Sequence, residues 1–226
     1  MTYSPLEGLI DKTDNFELIG LQIAAILANE SANQQALATA AGKDPALWKL
    51  NVYHERIDPW EQFLIPEDPD PTPIVNIWFD NSNFPEGKGN TVERQTSETI
   101  YNIDHYGYAI SQDDEGSGHI AGDAASAYEA QRCLRLSRNI LMAGKNSHLQ
   151  LLGLVGIRWP QSIAQFQPTQ DGRQVQRITA IRLALRVQFN EFSPQLTGNP
   201  LEVNFIDVKR ALDGQVLISA AYDYTA

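Results

Sequence analysis

The sequence predicts an α+β fold: a mostly antiparallel sheet with two main helices packed on one face, a projecting hairpin and an extra C-terminal strand pair. Two segments with apolar residues at helical spacing predict the helices, and alternating segments predict the strands. Most predicted strands follow one another directly, which favours antiparallel neighbours. We expect one domain over residues 1–226, with a core of about 10–195 and a C-terminal extension of about 196–226.

The composition indicates a folded protein with an acidic surface. Apolar residues make up 42% of the chain and charged residues 20%, so a core can form. The net charge of −11 repels phosphate backbones and anionic lipid, so we expect neither nonspecific nucleic-acid binding nor membrane docking. The sequence shows no secretory signal or membrane-spanning run. The one cysteine, Cys133, excludes an intramolecular disulfide and suits a reducing cytosol.

The first predicted helix begins after Asp14, a good N-cap with Glu17 three residues later. Its apolar stripe consists of Phe16, Ile19, Ile23, Ile26 and Leu27. From Asn29 onward the helix is polar, and Gly42 and Pro45 predict its end. The polar half is a candidate contact surface, with plain solvent exposure as the alternative.

A strand is predicted over 48–53, where Trp48, Leu50 and Val52 alternate with polar neighbours. The segment 65–73 then holds four prolines and three acids, a composition that blocks helix and central strand. We expect it to be an exposed, extended loop.

A hairpin is predicted next, from a strand at 74–79, a polar turn region at 81–90 and a long strand at 91–110. Its tip is expected to project beyond the sheet. An acidic loop is predicted at 113–118.

The second predicted helix starts at Asp123 as N-cap and runs to Met142, with Gly144 as C-cap. Its core side is expected to hold Ala127, Ala130, Leu134, Ile140 and Leu141. Three arginines lie on or near its other side: Arg132, Arg135 and Arg138.

The clearest pattern in the sequence is the strand from Ile181 to Phe189, where apolar residues alternate without exception with polar residues or alanine. We expect its apolar face to pack against the helices. The preceding strand is predicted at 155–166, with Trp159-Pro160 bending it or placing it at an edge. The C-terminal strand pair is predicted at 201–207 and 215–224.

The residues indicate no catalytic, metal or cofactor site. Nucleotide-binding glycine loops and a nucleophile elbow are absent from the sequence. Cys133 lies among leucines of a predicted helix, so a buried inert thiol is expected. Neither Asp104-His105 nor His119 with Asp123 has a recognised metal-ligand spacing. We therefore expect an assembly protein rather than an enzyme, with a metal- or thiol-dependent enzyme of unknown type as an alternative.

The order and texture of the elements over about 10–195 resemble the neck proteins of tailed bacteriophages, in particular the tail terminator (tail completion) family. The segments that carry the resemblance are Pro73–Phe79, Thr99–Gly107, Glu129–Leu136, Arg158–Gln161 and Ala184–Phe192. The proline-rich loop and the C-terminal strand pair depart from the family pattern.

The resemblance implies a structural virion protein that forms a homohexameric ring, assembled in the bacterial host cytoplasm. Such a ring caps the tail tube, ends tube polymerisation and joins the tail to the head-side connector. The implied partners are further copies of the chain, the tail tube protein, a connector or stopper protein, and a sheath. Genomic DNA is expected to pass through an acidic channel without specific binding. A head-closure (stopper) protein or a tail tube subunit stays open as an alternative.

Candidate subunit-interface or channel residues come from three segments that are expected to be exposed. The polar face of the long strand contributes Arg182, Arg186 and Gln188, the second helix Arg135 and Arg138, and the proline-rich loop Glu67, Asp68 and Asp70.

Overall fold

The computed structural model describes residues 12–64, 71–86, 90–91, 94–109, 112–114, 118–170, 173–174, 178–192, 203–209 and 216–223. Thr13–Phe192 form one compact unit, and the C-terminal strand pair belongs to a second unit. Glu67, Asp68 and Asp70 of the predicted loop lie outside the described residues.

Two long helices account for most of the helical structure. Helix α1 spans Asn15–Ala40, and helix α2 spans Gly122–Met142. The predicted cap of α1 is confirmed, since the Asp14 carboxylate accepts a hydrogen bond of 2.8 Å from the Phe16 N–H. Short 3-10 helices are formed by Pro45–Trp48, Pro59–Leu64 and Gly144–Asn146.

The strands, in chain order, are β1 Asn51–His54, β2 Ile74–Asn83, β3 Arg94–Tyr108, β4 Gln112–Asp114, β5 Gly118–Ile120, β6 Val155–Phe166, β7 Thr169–Gln170, β8 Arg173–Gln174, β9 Ile178–Phe192, β10 Val203–Lys209 and β11 Val216–Asp223. The main sheet has five strands in the order β1-β2-β3-β9-β6. Only its β1–β2 pair is parallel; the other three neighbouring pairs are antiparallel. β10 and β11 form an antiparallel pair of their own.

Both helices pack on the same face of this sheet. One row across that face is Ile77, Ile103 and Leu183, which lie opposite one another in the strand pairing and are fully buried. Complete burial of such a side chain stabilises the fold by roughly 1.5–3 kcal/mol. Helix α2 approaches β3 closely at Gly107, where an added Cβ would lie 2.3 Å from the Ser126 carbonyl oxygen.

Among the described residues of the unit Thr13–Phe192, the opposite face of the sheet is covered at one end. The 3-10 helix Pro59–Leu64 places Trp60 and Phe63 against Ile74, Tyr106 and Ala180 in a second, smaller apolar cluster. The rest of this face carries the polar side chains described below. Because neither α1 nor α2 packs on it, we call the whole face the helix-free face.

The predicted fold class is confirmed in its main features. The structure is α+β, its sheet is mostly antiparallel, and the two helices share one face. The hairpin at 74–110 is present as β2 and β3. The edge strand β6 has the predicted bounds, 155–166, and contains a register shift between Pro160 and Ser162.

The predicted strand at 48–53 is wrong in its first half. Trp48 ends a 3-10 helix, and the strand begins only at Asn51. The reason is local: the Asp44 carboxylate accepts a hydrogen bond of 2.9 Å from the Ala46 N–H, and Pro45 holds the first turn in a helical conformation.

Three other expectations need correction. Ala143, not Gly144, is the C-cap of α2, and Gly144 begins the 3-10 helix that follows. Ala121, not Asp123, is the N-cap of α2; Asp123 lies in the first turn, where its negative charge favours the helix dipole. The acidic loop predicted at 113–118 instead contributes residues to β4 and β5, which pair with each other.

Candidate functional site

The helix-free face holds three of the predicted interface residues, Gln188 and the two arginines Arg182 and Arg186. The arginines lie on β9 and alternate with Leu183 and Leu185, whose side chains point toward the helices. The sequence pattern thus predicted the correct face for the two arginines. Each of them makes contacts within the chain that the pattern did not reveal.

Arg182 forms a bidentate ion pair with Asp104 on the neighbouring strand β3. Its Nε donates to Asp104 Oδ1 at 2.7 Å, and its Nη2 donates to Oδ2 at 2.9 Å. The Trp78 indole N–H also donates to Oδ2, at 2.9 Å, and the Tyr106 hydroxyl hydrogen-bonds to the same carboxylate. The hydrogen bonds to Asp104 raise the pKa of Arg182, so the guanidinium stays protonated.

Aromatic rings complete this arrangement, which we call the Arg182 cluster: Arg182, Asp104, Trp78, Tyr106 and Phe166. The guanidinium carbon lies 4.6 Å from the centre of the Trp78 ring and 4.9 Å from that of Phe166. Both distances are typical of cation–π contacts. Because its members come from β2, β3, β9 and β6, the cluster fastens four strands together.

A cavity of about 370 Å³ opens beside the Arg182 cluster. The segment Glu55–Asp58 forms its rim, and this segment is held by Asn76, whose side chain donates to the Arg56 carbonyl at 2.8 Å and accepts from the Arg56 N–H at 3.2 Å. The wall presents two indoles, Trp60 and Trp78, beside both cationic and anionic side chains. The Asp104 carboxylate, which also lines the cavity, accepts hydrogen bonds from Arg182 and Trp78 within the chain.

Arg186 is also held within the helix-free face. Its Nε donates to Gln161 on β6 at 2.8 Å, and its Nη1 lies 3.3 Å from Glu98 on β3. Gln188, the third candidate on this strand, is half-buried between Glu98 and Ile157 in the strand pairing. An interface or channel role for these residues stays a prediction.

The two candidate arginines of α2, Arg135 and Arg138, are exposed. Arg135 lines a groove of about 660 Å³ that lies between α2 and the 3-10 helix Pro45–Trp48. Its apolar wall includes Leu47, which is 72% exposed, together with Trp48, Leu50 and Leu136. We call this the α2 groove. Sequence reasoning missed it because Trp48 was assigned to a strand.

The segment Asp80–Glu86, which leads from β2 toward the turn of the hairpin, is a further feature with mostly exposed residues. Phe84 follows the last residue of β2 and is 46% exposed. A register shift between Phe79 and Asn81 interrupts the pairing with β3 before the tip. Such a bulge bends a strand, so it changes the direction in which the tip leaves the sheet.

The edge strand β6 is the fourth surface of interest. It is a terminal strand of the five-stranded sheet, and most of its residues are exposed. Two isoleucines on it, Ile157 and Ile163, are 54% and 47% exposed.

The buried titratable groups lie in the core. Cys133 is 3% exposed, as expected for a structural thiol, and burial raises its pKa. His105 is fully buried beneath the helices, its Nδ1 lies 3.0 Å from the Ile181 carbonyl oxygen, and burial lowers its pKa to about 4.

In the described part of the chain, no group of three His, Cys, Asp or Glu side chains is placed to hold a metal. None of the helices found there has the length and apolar character needed to cross a bilayer.

No protein-family model and no curated protein matches this chain.

Proposed function

We propose that the protein is a structural subunit of the neck of a tailed bacteriophage, a tail terminator that forms a ring on the tail tube. The ring ends tube polymerisation and joins the tail to the head-side connector in the virion. The proposal is supported by the resemblance in element order and by the α+β fold with two helices on one face of the sheet.

The observation that carries the proposal is the edge strand β6. A strand at a sheet edge presents backbone N–H and C=O groups that can pair with a strand of another chain. Natural monomers protect such edges with lysines, prolines or bulges. β6 has Pro160 and a bulge in its middle, but the following residues, Ser162–Gln165, are exposed and uncharged. This half of β6 is a suitable docking edge for a neighbouring virion protein.

The net charge favours a position on the path of the DNA. A ring of subunits with a charge of −11 each surrounds its channel with negative potential. Phosphate backbones are repelled by such a wall, so DNA passes without being held. A ring structure with a strongly basic channel would contradict this part of the proposal.

The decisive experiment mixes the purified full-length protein with tails that lack a terminator and, separately, with DNA-filled heads, and images both by electron microscopy. A ring at the head-proximal tail end is the expected result. Binding to filled heads alone would identify a stopper instead, and incorporation along the tube would identify a tube subunit.

A pair of variants tests the role of β6 in the same assay. Ile163→Lys places a charge on the exposed half of the edge and is expected to reduce tail binding at least tenfold. Leu152→Lys is the matched control, because Leu152 is 83% exposed but precedes the strand. Equal tail binding by the two variants would exclude the β6 edge as the docking surface.

A further inference from the structure

We propose that the hairpin tip of one copy of this chain binds in the α2 groove of the next copy. The hairpin tip is taken here as Asp80–Glu86, the exposed end of β2 and the residues that follow it. This inference rests on the proposed ring, for which it names the contact between neighbouring subunits.

The α2 groove combines an apolar wall with a positively charged rim. Among the described residues, four charged side chains line it: the cations Lys49, Arg132 and Arg135 and the acid Glu129. Glu129 is paired with Arg132 along the helix. The described lining of the groove therefore carries a net positive charge, whereas the chain as a whole has a net charge of −11. Such a site favours an apolar anchor flanked by acids.

The hairpin tip has this chemistry. Phe84 is 46% exposed, and the acids Asp80 and Glu86 on either side of it are exposed as well. Aromatic side chains that fill a pocket on the partner are frequent energetic anchors in protein interfaces. Leu47 and Leu136 of the groove supply the apolar surface that the Phe84 ring needs.

The two surfaces lie at opposite ends of the same strand. Pro73, which lines the groove, directly precedes β2, and Phe84 directly follows it. At about 3.3 Å per residue, the ten residues of β2 separate the two surfaces by roughly 30 Å. Because the surfaces are different and far apart, their contact is head-to-tail, which is the kind that closes into a ring.

A second copy is the occupant that the structure favours over an unrelated partner. Both complementary surfaces are present on every chain, so each added subunit offers a new groove and a new tip. An isologous dimer would instead require one surface to match itself, and neither the cationic groove nor the acidic tip does so.

Cysteine cross-linking of the full-length protein tests this contact directly. Phe84→Cys and Leu47→Cys are made as separate proteins, mixed and exposed to a mild oxidant, free in solution and on terminator-free tails. We expect a disulfide between the two variants and, for the variant that carries both changes, a ladder of linked subunits. The control mixture is Phe84→Cys with Leu152→Cys, since Leu152 is exposed but lies outside the groove.

A charge exchange gives a second, independent readout. Arg135→Glu is expected to weaken self-association at least tenfold in concentration-dependent light scattering, and combination with Glu86→Arg is expected to restore much of it. Arg138→Glu is the matched control, because Arg138 is exposed on the same helix but does not line the groove.

The possible results separate this contact from the proposed function. Tail binding without a cross-link between Phe84→Cys and Leu47→Cys would overturn the contact and leave the terminator role intact. A cross-link without tail binding would support the contact and overturn the terminator role. Absence of any cross-link in solution and on tails overturns the contact, whatever the light scattering shows.

Discussion

Asp104 and Arg182 form a bidentate ion pair across β3 and β9, with N–O distances of 2.7 and 2.9 Å. The Asp104 side chain is only 3% exposed, whereas that of Arg182 is 36% exposed. The carboxylate thus depends on the arginine and on Trp78 for the stabilisation that water would otherwise provide. The pair therefore holds both side chains in place on the helix-free face and links β3 to β9.

Removal of Arg182 should destabilise the protein strongly. Arg182→Leu leaves a buried carboxylate without its counter-charge. We expect the free energy of unfolding to fall by about 3 kcal/mol. This value is at the low end of the range for buried ion pairs, because Arg182 is partly exposed. Urea denaturation followed by circular dichroism measures the loss. Arg138→Leu is the matched control, expected to change stability by less than about 0.5 kcal/mol because it is a surface substitution. Equal stability of the two variants would show that the pair contributes nothing.

A double variant separates the ion pair from the packing of its side chains. Asp104→Leu combined with Arg182→Leu removes both charges, and we expect it to be more stable than Arg182→Leu alone. The reason is that an uncompensated buried charge costs more than an apolar pair of similar volume. A double variant less stable than both single variants would contradict this interpretation.

Gly107→Ala should disrupt the packing of α2 on β3. A Cβ at this position would lie 2.3 Å from the Ser126 carbonyl oxygen and 2.6 Å from the Ala130 backbone nitrogen. Backbone atoms of a helix cannot yield locally, so the whole helix must shift, at a cost of about 3 kcal/mol. Thermal denaturation measures the effect. Gly144→Ala is the control, since nothing lies within 4 Å of its added Cβ; a similar melting temperature for both variants would argue against the tight approach.

Much of the fold follows from local patterns in the sequence. The alternation in 181–189 predicted β9 because one face of this strand is buried beneath the helices, and the Asp14 cap predicted the start of α1. The predicted strand is wrong at 48–50. Apolar and polar residues alternate there, but the 3-10 helix that Asp44 caps and Pro45 begins extends to Trp48. The parallel pairing of β1 with β2 depends on tertiary packing, which no local pattern encodes.

The candidate site was predictable only in part. The alternation of β9 shows that Arg182 points away from the helices, but its partner Asp104 lies 78 positions earlier in the chain. The α2 groove arises where three separate segments meet, so its lining has no contiguous signal in the sequence. The strand pattern therefore predicts which face is polar, and only the fold shows which charges are already paired.

Cys133 should be unreactive in the native protein. The thiol is 3% exposed and burial raises its pKa, so the reactive thiolate is scarce. We expect a chromogenic disulfide reagent to label the folded protein negligibly within an hour and to label one thiol per chain in urea. Cys133 belongs to the lining of the α2 groove, so rapid labelling of the native protein would show that the reagent reaches this thiol through the groove. It would also require Cys133 to be replaced before the cross-linking experiment.

Stability should decline as the pH falls below about 6.5, because of His105. Burial lowers the pKa of this histidine to about 4 from its ordinary value of 6.5, so it is neutral in the folded chain at pH 7. Between these two values the unfolded chain binds more protons than the folded chain, and the free energy of unfolding therefore falls as the pH is lowered. The contribution is fully present above pH 6.5 and is lost by about pH 4, with a steepest slope of about 1.4 kcal/mol per pH unit.

His105→Gln is expected to remove this dependence, whatever its effect on stability at pH 7. The measurement is the difference in unfolding free energy between wild type and variant at half-unit steps from pH 7.5 to about 4, which cancels the other titrating groups. Glu30→Gln provides a contrast, because hydrogen bonds led by that from Lys145 lower the pKa of Glu30 to about 2. Its contribution is lost only as the pH falls from 4.5 toward 2, outside the histidine range. A difference curve for His105→Gln that stays flat between pH 6.5 and 4 would mean that water reaches the imidazole, and that the packing of α2 over β3 is looser than the structure indicates.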